Sequence, residues 1–239
     1  MPNPTAAMLV IGDEILSGRT RDSNMHHLAG KLTERGIRLV EVRVVADDHE
    51  AIVAAVNALR AGVDHVFTSG GIGPTHDDIT ADAVAAAFGV AIDKRADAMA
   101  LLSAHYARQG MEFIEARQRM ARIPDGAALI DNPVSVAPGF SIGNVHVMAG
   151  VPRIFEAMVA SVLPGLTGGA PLLSHSLRVE RGEGEIAAGF GALAAEYPDL
   201  SMGSYPFIHN GLHGTNLVIR GTDAERLEAA MARLKALFG

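Results

Sequence analysis

The chain has no cysteine in its 239 residues. That excludes disulfides, thiolate nucleophiles and cysteine-ligated zinc or iron–sulfur centres. Tryptophan is absent too, and aromatic residues make up only 5% of the sequence. Hydrophobic residues nevertheless reach 49%, so the core has to be aliphatic and alanine-rich, as in many α/β proteins. Positive charge is scarce: 20 Lys and Arg stand against 27 Asp and Glu, a formal charge of −7. No general affinity for nucleic acid or an anionic membrane is expected. No run of about 18 apolar residues is available to span a bilayer. The first seven residues lack the basic start and apolar centre of a signal peptide. The expectation is a soluble cytoplasmic protein.

What the chain does contain is strands alternating with helices. Residues 6–11 form a short apolar run ending at Gly12, as in a buried parallel strand. Residues 24–35 read as a helix closed by Gly36, and 37–45 as a second strand. Residues 47–61 read as a helix in which Asp47 and Glu50 resemble a capping box. A third strand covers 64–68, and Gly89 stops a helix over 79–88. Further helices are expected over 94–109 and 113–122. Short extended pieces follow at 127–131, 135–141 and 145–148, before Gly150-Val151-Pro152 opens a helix ending near Leu163. This order argues for an α/β fold with a mostly parallel sheet covered on both faces.

Residues 164–171 are rich in Gly and Pro and read as a linker. Beyond it, strands at 174–179, 200–205 and 217–220 and helices at 185–197 and 222–238 make a small α+β (β-α-β-β-α) layer. Thr222 and Glu225 have capping-box spacing for the last helix. The expected domains are 1–165 and 172–239.

The most informative segment is residues 67–82, where a strand enters a turn with Gly70, Gly71 and Gly73, followed by Asp77 and Asp78 and a helix. Glycines let backbone N–H groups approach an anion, and a helix start favours negative charge. Carboxylates beside such a loop would repel a bare phosphate, but they suit a divalent cation shared with it. The segment therefore points to a phosphorylated ligand held with a metal. Asp13 and Glu14 follow the first strand, Asp47 and Asp48 the second, and Asp77 and Asp78 the third. Ligands of open parallel sheets bind outside the carboxyl ends of the strands, so the three pairs can converge on one cleft. Each pair could equally cap the helix that follows it. For Asp47 capping is at least as good a reading, whereas for Asp78 the preceding glycine turn favours function.

Other patterns carry less. Residues 182–187 fit a dinucleotide fingerprint, but its two glutamates would repel a pyrophosphate, and it reads as a tight turn into a helix. His209 and His213 have i,i+4 spacing but flank Asn210-Gly211, which reads as a hairpin tip. His76 either touches a phosphate or faces solvent. Asp22-Ser23-Asn24 starts a helix and either caps it or contacts a ligand.

Six motifs occur in order: residues 12–18 (Gly-Asp-Glu-Ile-Leu-Ser-Gly), Asp22-Ser23-Asn24, Ala46-Asp47-Asp48, the glycine turn 70–80, Ala137-Pro138-Gly139-Phe140 and Gly150-Val151-Pro152. Together they resemble the CinA N-terminal family of the MoaB/MogA-like molybdopterin-binding superfamily over about residues 5–165. The tail, with Gly203-Ser204-Tyr205-Pro206, is similar to the small domain of CinA-like proteins and of eukaryotic FAD synthases. The resemblance implies a three-layer α/β/α domain with a cleft for a nucleotide or pterin phosphate. It implies metal-dependent hydrolysis of ADP-ribose, FAD or a related nucleotide diphosphate. The alternatives are molybdopterin binding or adenylylation without that activity, or a non-catalytic binding module.

The resemblance makes Asp78 and Asp47 the catalytic residues, with Asp77 and Asp78 holding Mg, Mn or Co. It places Gly12, Glu14, Asn24, Thr68, Ser69, Gly70, Gly71 and Gly73 at the ligand. Thr80, Ser135, Pro138 and Gly139 complete that set. A homo-oligomer is expected. The amidohydrolase domain of longer CinA proteins has no counterpart in the sequence, so nicotinamide-nucleotide deamidase activity is not expected. Three departures from the family pattern stand out. Ile72 replaces a Thr, Pro133-Val134-Ser135-Val136 replaces Gly-Thr, and Met148-Ala149 replaces Leu-Pro.

Overall fold

The computed structural model describes residues 3–209 and 211–239. The chain divides into two compact units, Met1–Gly169 and Ala170–Gly239.

The first unit begins with β1 (Thr5–Ile11), buried from Ala6 onward. A single turn, α1 (Asp13–Leu16), leads to α2 (Asn24–Glu34), β2 (Arg38–Val45), α3 (His49–Gly62), β3 (His65–Ser69) and α4 (Thr80–Phe88). Next come β4 (Ile92–Lys94), α5 (Ala96–Arg108), α6 (Glu115–Gln118), β5 (Arg122–Pro124) and β6 (Ala128–Ile130). The unit ends with β7 (Gly139–Ile142), β8 (Val145–Met148) and α7 (Pro152–Val162). Six strands form one sheet in the order β2-β1-β3-β8-β7-β6. The first four are parallel; β7 runs antiparallel to both of its neighbours, β8 and β6. The sheet is mostly parallel, as the alternating pattern implied.

Both faces of the sheet are covered. Successive residues of a strand point to opposite faces, and β1 uses the two equally. Ala7, Leu9 and Ile11 pack with Ile52 and Val56 of α3 and Val84 of α4. Ala6, Met8 and Val10 pack with Leu28 and Leu32 of α2 and Phe155 of α7. This two-sided demand explains why β1 lacks polar alternation. Truncating the fully buried Leu28 to Ala is expected to cost about 2–5 kcal/mol.

Several boundaries differ from the sequence expectation. The helix expected from residue 94 starts at Ala96, because Lys94 instead pairs with Arg122 in the short β4–β5 ladder. That ladder also shortens the expected 113–122 helix to α6 and one 3-10 turn. The extended piece expected over 135–141 is β7 alone; residues before it form a loop around Asn132. The cap of α3 is Asp48, whose carboxylate accepts from Ala51 N at 2.8 Å, not Asp47.

The second unit contains β9 (Leu173–Val179), α8 (Glu183–Glu196), β10 (Ser201–His209), β11 (Leu212–Gly221) and α9 (Ala224–Phe238). Its antiparallel sheet, ordered β10-β11-β9, packs Leu217 and Ile219 against Ile186 and Leu193 of α8 and Leu227 and Leu234 of α9. The expected β-α-β-β-α order is present. Gly182 N donates to the Glu185 carboxylate at 3.0 Å, so that turn caps α8. Asp223, rather than Thr222, caps α9 through Arg226 N. Ile208 pairs with His213, so this segment is strand; Asn210 of the expected tip lies outside the described residues. Among the described residues no helix is long and apolar enough to cross a membrane.

Candidate functional site

Because β1, β3 and β8 are parallel neighbours, their carboxyl ends open on the same edge of the sheet. Backbones approach so closely there that side chains are excluded. Gly70 has φ 111°, and a Cβ on it would lie 2.1 Å from the Ile11 carbonyl oxygen. Gly71 has φ 69°, and its Cβ would lie 2.1 Å from Thr80 Oγ1. Only glycine meets both the positive φ and the contact. Thr80 locks the turn onto α4: its hydroxyl donates to Gly70 O and its N–H to Gly71 O, each at 3.0 Å.

Outside these strand ends lies a cleft of about 560 Å³, a size suited to a small organic ligand. One wall is the glycine turn. Gly12 and Glu14 come from the end of β1, Asp47 from beyond β2, and Asn132 and Ser135 from the loop before β7. Arg19 is the only basic side chain among the described residues lining it. The N–H groups of Gly71, Ile72 and Gly73 donate to no protein acceptor among the described residues. They are the free donors a phosphate needs.

The carboxylates here are not mere helix caps. With Asp48 holding α3, Asp47 turns to the cleft, and its Oδ2 accepts from Asp13 N at 3.0 Å. Burial pushes the Asp47 carboxyl above its ordinary value, and repulsion from Asp13, Glu14 and Asp77 adds to the rise. The Asp13 hydrogen bond opposes it. Asp77 is exposed, and the neighbouring Thr75 hydroxyl holds its carboxyl below the ordinary value. Asp78 Oδ2 accepts from Thr75 N at 2.8 Å and from the Thr75 hydroxyl, folding the turn while lining the cleft. It does not cap α4, whose first residue follows Ile79.

The donor set also bears on a metal. Among the described residues no three metal-ligating side chains stand close enough to form a ready-made site. Mutually repelling carboxylates in the same cleft as free N–H groups do fit a cation held by one or two carboxylates and the ligand's own phosphates.

The structure sorts the expected ligand residues. Gly12, Glu14, Asp47, Gly70, Gly71, Gly73, Asp77, Asp78 and Ser135 line the cleft. Asn24 and Ser69 stand behind it: Asn24 Nδ2 donates to Ser69 Oγ at 2.8 Å and Gly150 O at 2.7 Å. They tie α2, β3 and the loop after β8 together. Thr68 and Thr80 are fully buried, so both act inside the framework. Gly139 sits in β7, where a Cβ would lie 2.3 Å from Val147 O, so it serves strand packing. Pro138 is buried beside a small cavity behind Asp78. His76 is solvent-exposed, 3.9 Å from Asp77.

Two residues were not anticipated. Arg19 carried no signal beyond lying near the first acidic pair. Asn132 is buried; its Nδ2 donates to Ser135 Oγ and Ala137 O, and its Oδ1 accepts from Val134 N and Ser135 N. An Asn before a Pro is a turn-starting signal that could have flagged it. This network closes the loop that departs from the family pattern and holds Val136 at φ 67°.

Residues 7–168 match a family described as "Probable molybdopterin binding domain". The crystal structure of a CinA protein with unknown function from Thermoplasma acidophilum superposes with a TM-score of 0.63. It is 32% identical and covers 69% of this chain and 99% of its own. The chain belongs to this family, as a CinA-like member. The CinA relationship and the mostly parallel α/β architecture follow from these matches and the sheet order. A CinA-like protein of Citrifermentans bemidjiense is 41% identical over 167 residues, 68% of this chain and 40% of its own. Residues 171–239 match "FAD synthase, middle domain". A protein named probable FAD synthase from Caenorhabditis elegans is 31% identical, covering 98% of this chain and 50% of its own. The chain thus spans half or less of the length of these two curated relatives.

Proposed function

We propose that the cleft hydrolyses the pyrophosphate bond of a nucleotide diphosphate, with a divalent cation held between its carboxylates and the substrate phosphates. The observation that carries this reading is the position of Asp47. It is released from capping α3, crowded by Asp13, Glu14 and Asp77, and lines the same cleft as the unpaired N–H groups. Such crowding costs stability unless positive charge enters. Asp47 and Asp77 would hold the cation, with Asp78 fixing the turn that carries Asp77. A bound divalent cation would supply charge neutralisation and a more acidic water. The N–H groups of residues 71–73 would take charge developing on phosphate oxygens. Arg19 would neutralise a second phosphate. The match of the second unit to an FAD synthase domain makes FAD, with ADP-ribose, the first substrate to test.

The test is product analysis with ADP-ribose, FAD and NAD, each with magnesium, manganese or cobalt. Asp78→Asn and Asp47→Asn are run alongside. Metal-dependent mononucleotide release that both variants lose supports the reading; wild-type turnover in either variant would sink the role of that residue. A second reading is supported by the family's description. In it the cleft binds molybdopterin, or a nucleotide without hydrolysis. Co-purifying pterin with no release from any substrate would favour it.

A further inference from the structure

The Gly203-Ser204-Tyr205-Pro206 motif lies in β10 of the second unit, and none of its residues lines the cleft. Both helices of this unit pack on the sheet face that carries Leu177, Leu217 and Ile219. The opposite face contributes nothing to that core. Directly paired residues share a face, so the register sets Tyr205, Asn216 and Arg178 in one row across the three strands of the bare face. Phe207 with Gly214, and Ser201 with Arg220, belong to the same face.

Two glycines shape this surface. Side chains ordinarily stand upright on a sheet. Here a Cβ on Gly203 would lie 3.2 Å from the Tyr205 ring, and one on Gly214 would lie 2.3 Å from Phe207 Cζ, so both rings lie down over glycine. Arg178 covers the Phe207 ring, its guanidinium carbon 3.8 Å from the ring centre. Tyr205 is 46% exposed. Arg220 meets it at the rim, donating from Nη1 to the Tyr205 hydroxyl at 3.1 Å, which leaves the flat of the ring open.

Charge favours an anion here. The three strands hold no Asp or Glu, in a chain with an excess of acids. Among the described residues neither arginine meets a carboxylate, and the Arg178 side chain donates to no acceptor. Arg226 is the contrast: it too lies over a ring, that of Tyr197, but Asp199 neutralises it. An open aromatic ring beside two uncompensated guanidinium groups suits a planar ring that carries phosphate. Two cations are too few for a groove that tracks a nucleic-acid backbone on a chain of net charge −7. We propose that this face binds a free mononucleotide, its base stacked on Tyr205 and its phosphate held by Arg178 and Arg220. No cleft residue takes part, so the proposal stands whether or not the cleft hydrolyses anything.

The test is an amide-resolved NMR titration of the full chain with AMP, beside adenosine and inorganic phosphate. AMP should shift the Gly203, Tyr205 and Asn216 amides saturably, and bind there more tightly than adenosine or phosphate. Tyr205→Ala should weaken AMP at these amides by about fivefold or more, with the circular dichroism unchanged because the side chain is exposed. Tyr205→Phe, which keeps the ring, should retain the affinity. The double variant Arg178→Gln/Arg220→Gln should bring AMP down to the affinity of adenosine and leave adenosine unaltered. AMP shifts confined to residues 70–73 would overturn the proposal, as would binding at 203–216 indifferent to Tyr205→Ala. So would a single-stranded oligoadenylate that occupies the same amides at least about tenfold more tightly than AMP, since the occupant would then be nucleic acid.

Discussion

The two ends of the central sheet treat ionisable groups in opposite ways. At the carboxyl ends of the strands, Asp47 is crowded by other acids at a half-open cleft, and its carboxyl is pushed up. At the start of β3 and β8, the His65 and His146 rings meet at a tilt of 35°, their centroids 5.7 Å apart, and His146 also lies against Phe67. Burial, aided by His65, pulls His146 down to about 4. The Ser141 hydroxyl hydrogen-bonds His146 Nδ1 at 2.9 Å, satisfying the neutral ring. The far end therefore buries neutral groups to pack the sheet. The cleft end keeps charged groups together in contact with solvent, where a ligand can relieve them. A perturbed ionisation marks a functional site only where a cavity accompanies it, and the cavity is at the cleft.

The sharpest way to break the cleft end is Gly70→Ala. The new methyl meets the Ile11 backbone oxygen at a positive φ, so a loss of about 4 kcal/mol is expected in denaturant melts. Unchanged stability would mean the strand ends are not held this tightly.

At the far end, unfolded histidine protonates near its ordinary 6.5, whereas folded His146 waits until about 4. Between those values the unfolded chain binds more protons. Stability should therefore be level above about pH 6.5, fall as pH drops, and flatten below about 4, losing about 3 kcal/mol in total. His146→Phe, which keeps a ring but no proton site, should flatten that slope in melts run across the window. A slope unaltered by the substitution would place the acid sensitivity elsewhere.

Asp47→Asn sets the two roles against each other. A carboxyl whose folded value is raised costs stability once pH exceeds it, and Asn removes the charge while still able to accept from Asp13 N. The variant should melt at a higher temperature without metal and lose turnover by about 100-fold, roughly 2.7 kcal/mol of barrier. A lower melting temperature would show that the carboxylate is structural. The smallest effect is expected at Val136, a β-branched residue at φ 67°. Val136→Gly should raise stability by about 1 kcal/mol in the same melts.

Much of the fold was legible because its signals are local. The apolar run of β1, Gly89 ending α4 at φ 66° and Pro152 at the start of α7 each follow from a few neighbouring residues. The errors came where two local signals competed. Lys94 suits a helix start by sequence but is held in a ladder by Arg122, a residue 28 positions away. In the site, the glycine turn and its aspartates were legible. Thr68, Thr80 and Gly139 share those motifs but serve the framework, since a motif records which residues recur and not which way they face.

By itself, then, the sequence determined an aliphatic α/β sheet, a turn that only glycine can make, and acids following each of the first three strands. The tertiary structure alone decided which acid does what. Asp47 and Asp48 are adjacent and both suit a helix cap. Because β2 ends beside the first turn of α1, the Asp13 N–H takes Asp47, and Ala51 is left to Asp48. That choice depends on two segments 34 residues apart meeting in space, which no local preference encodes.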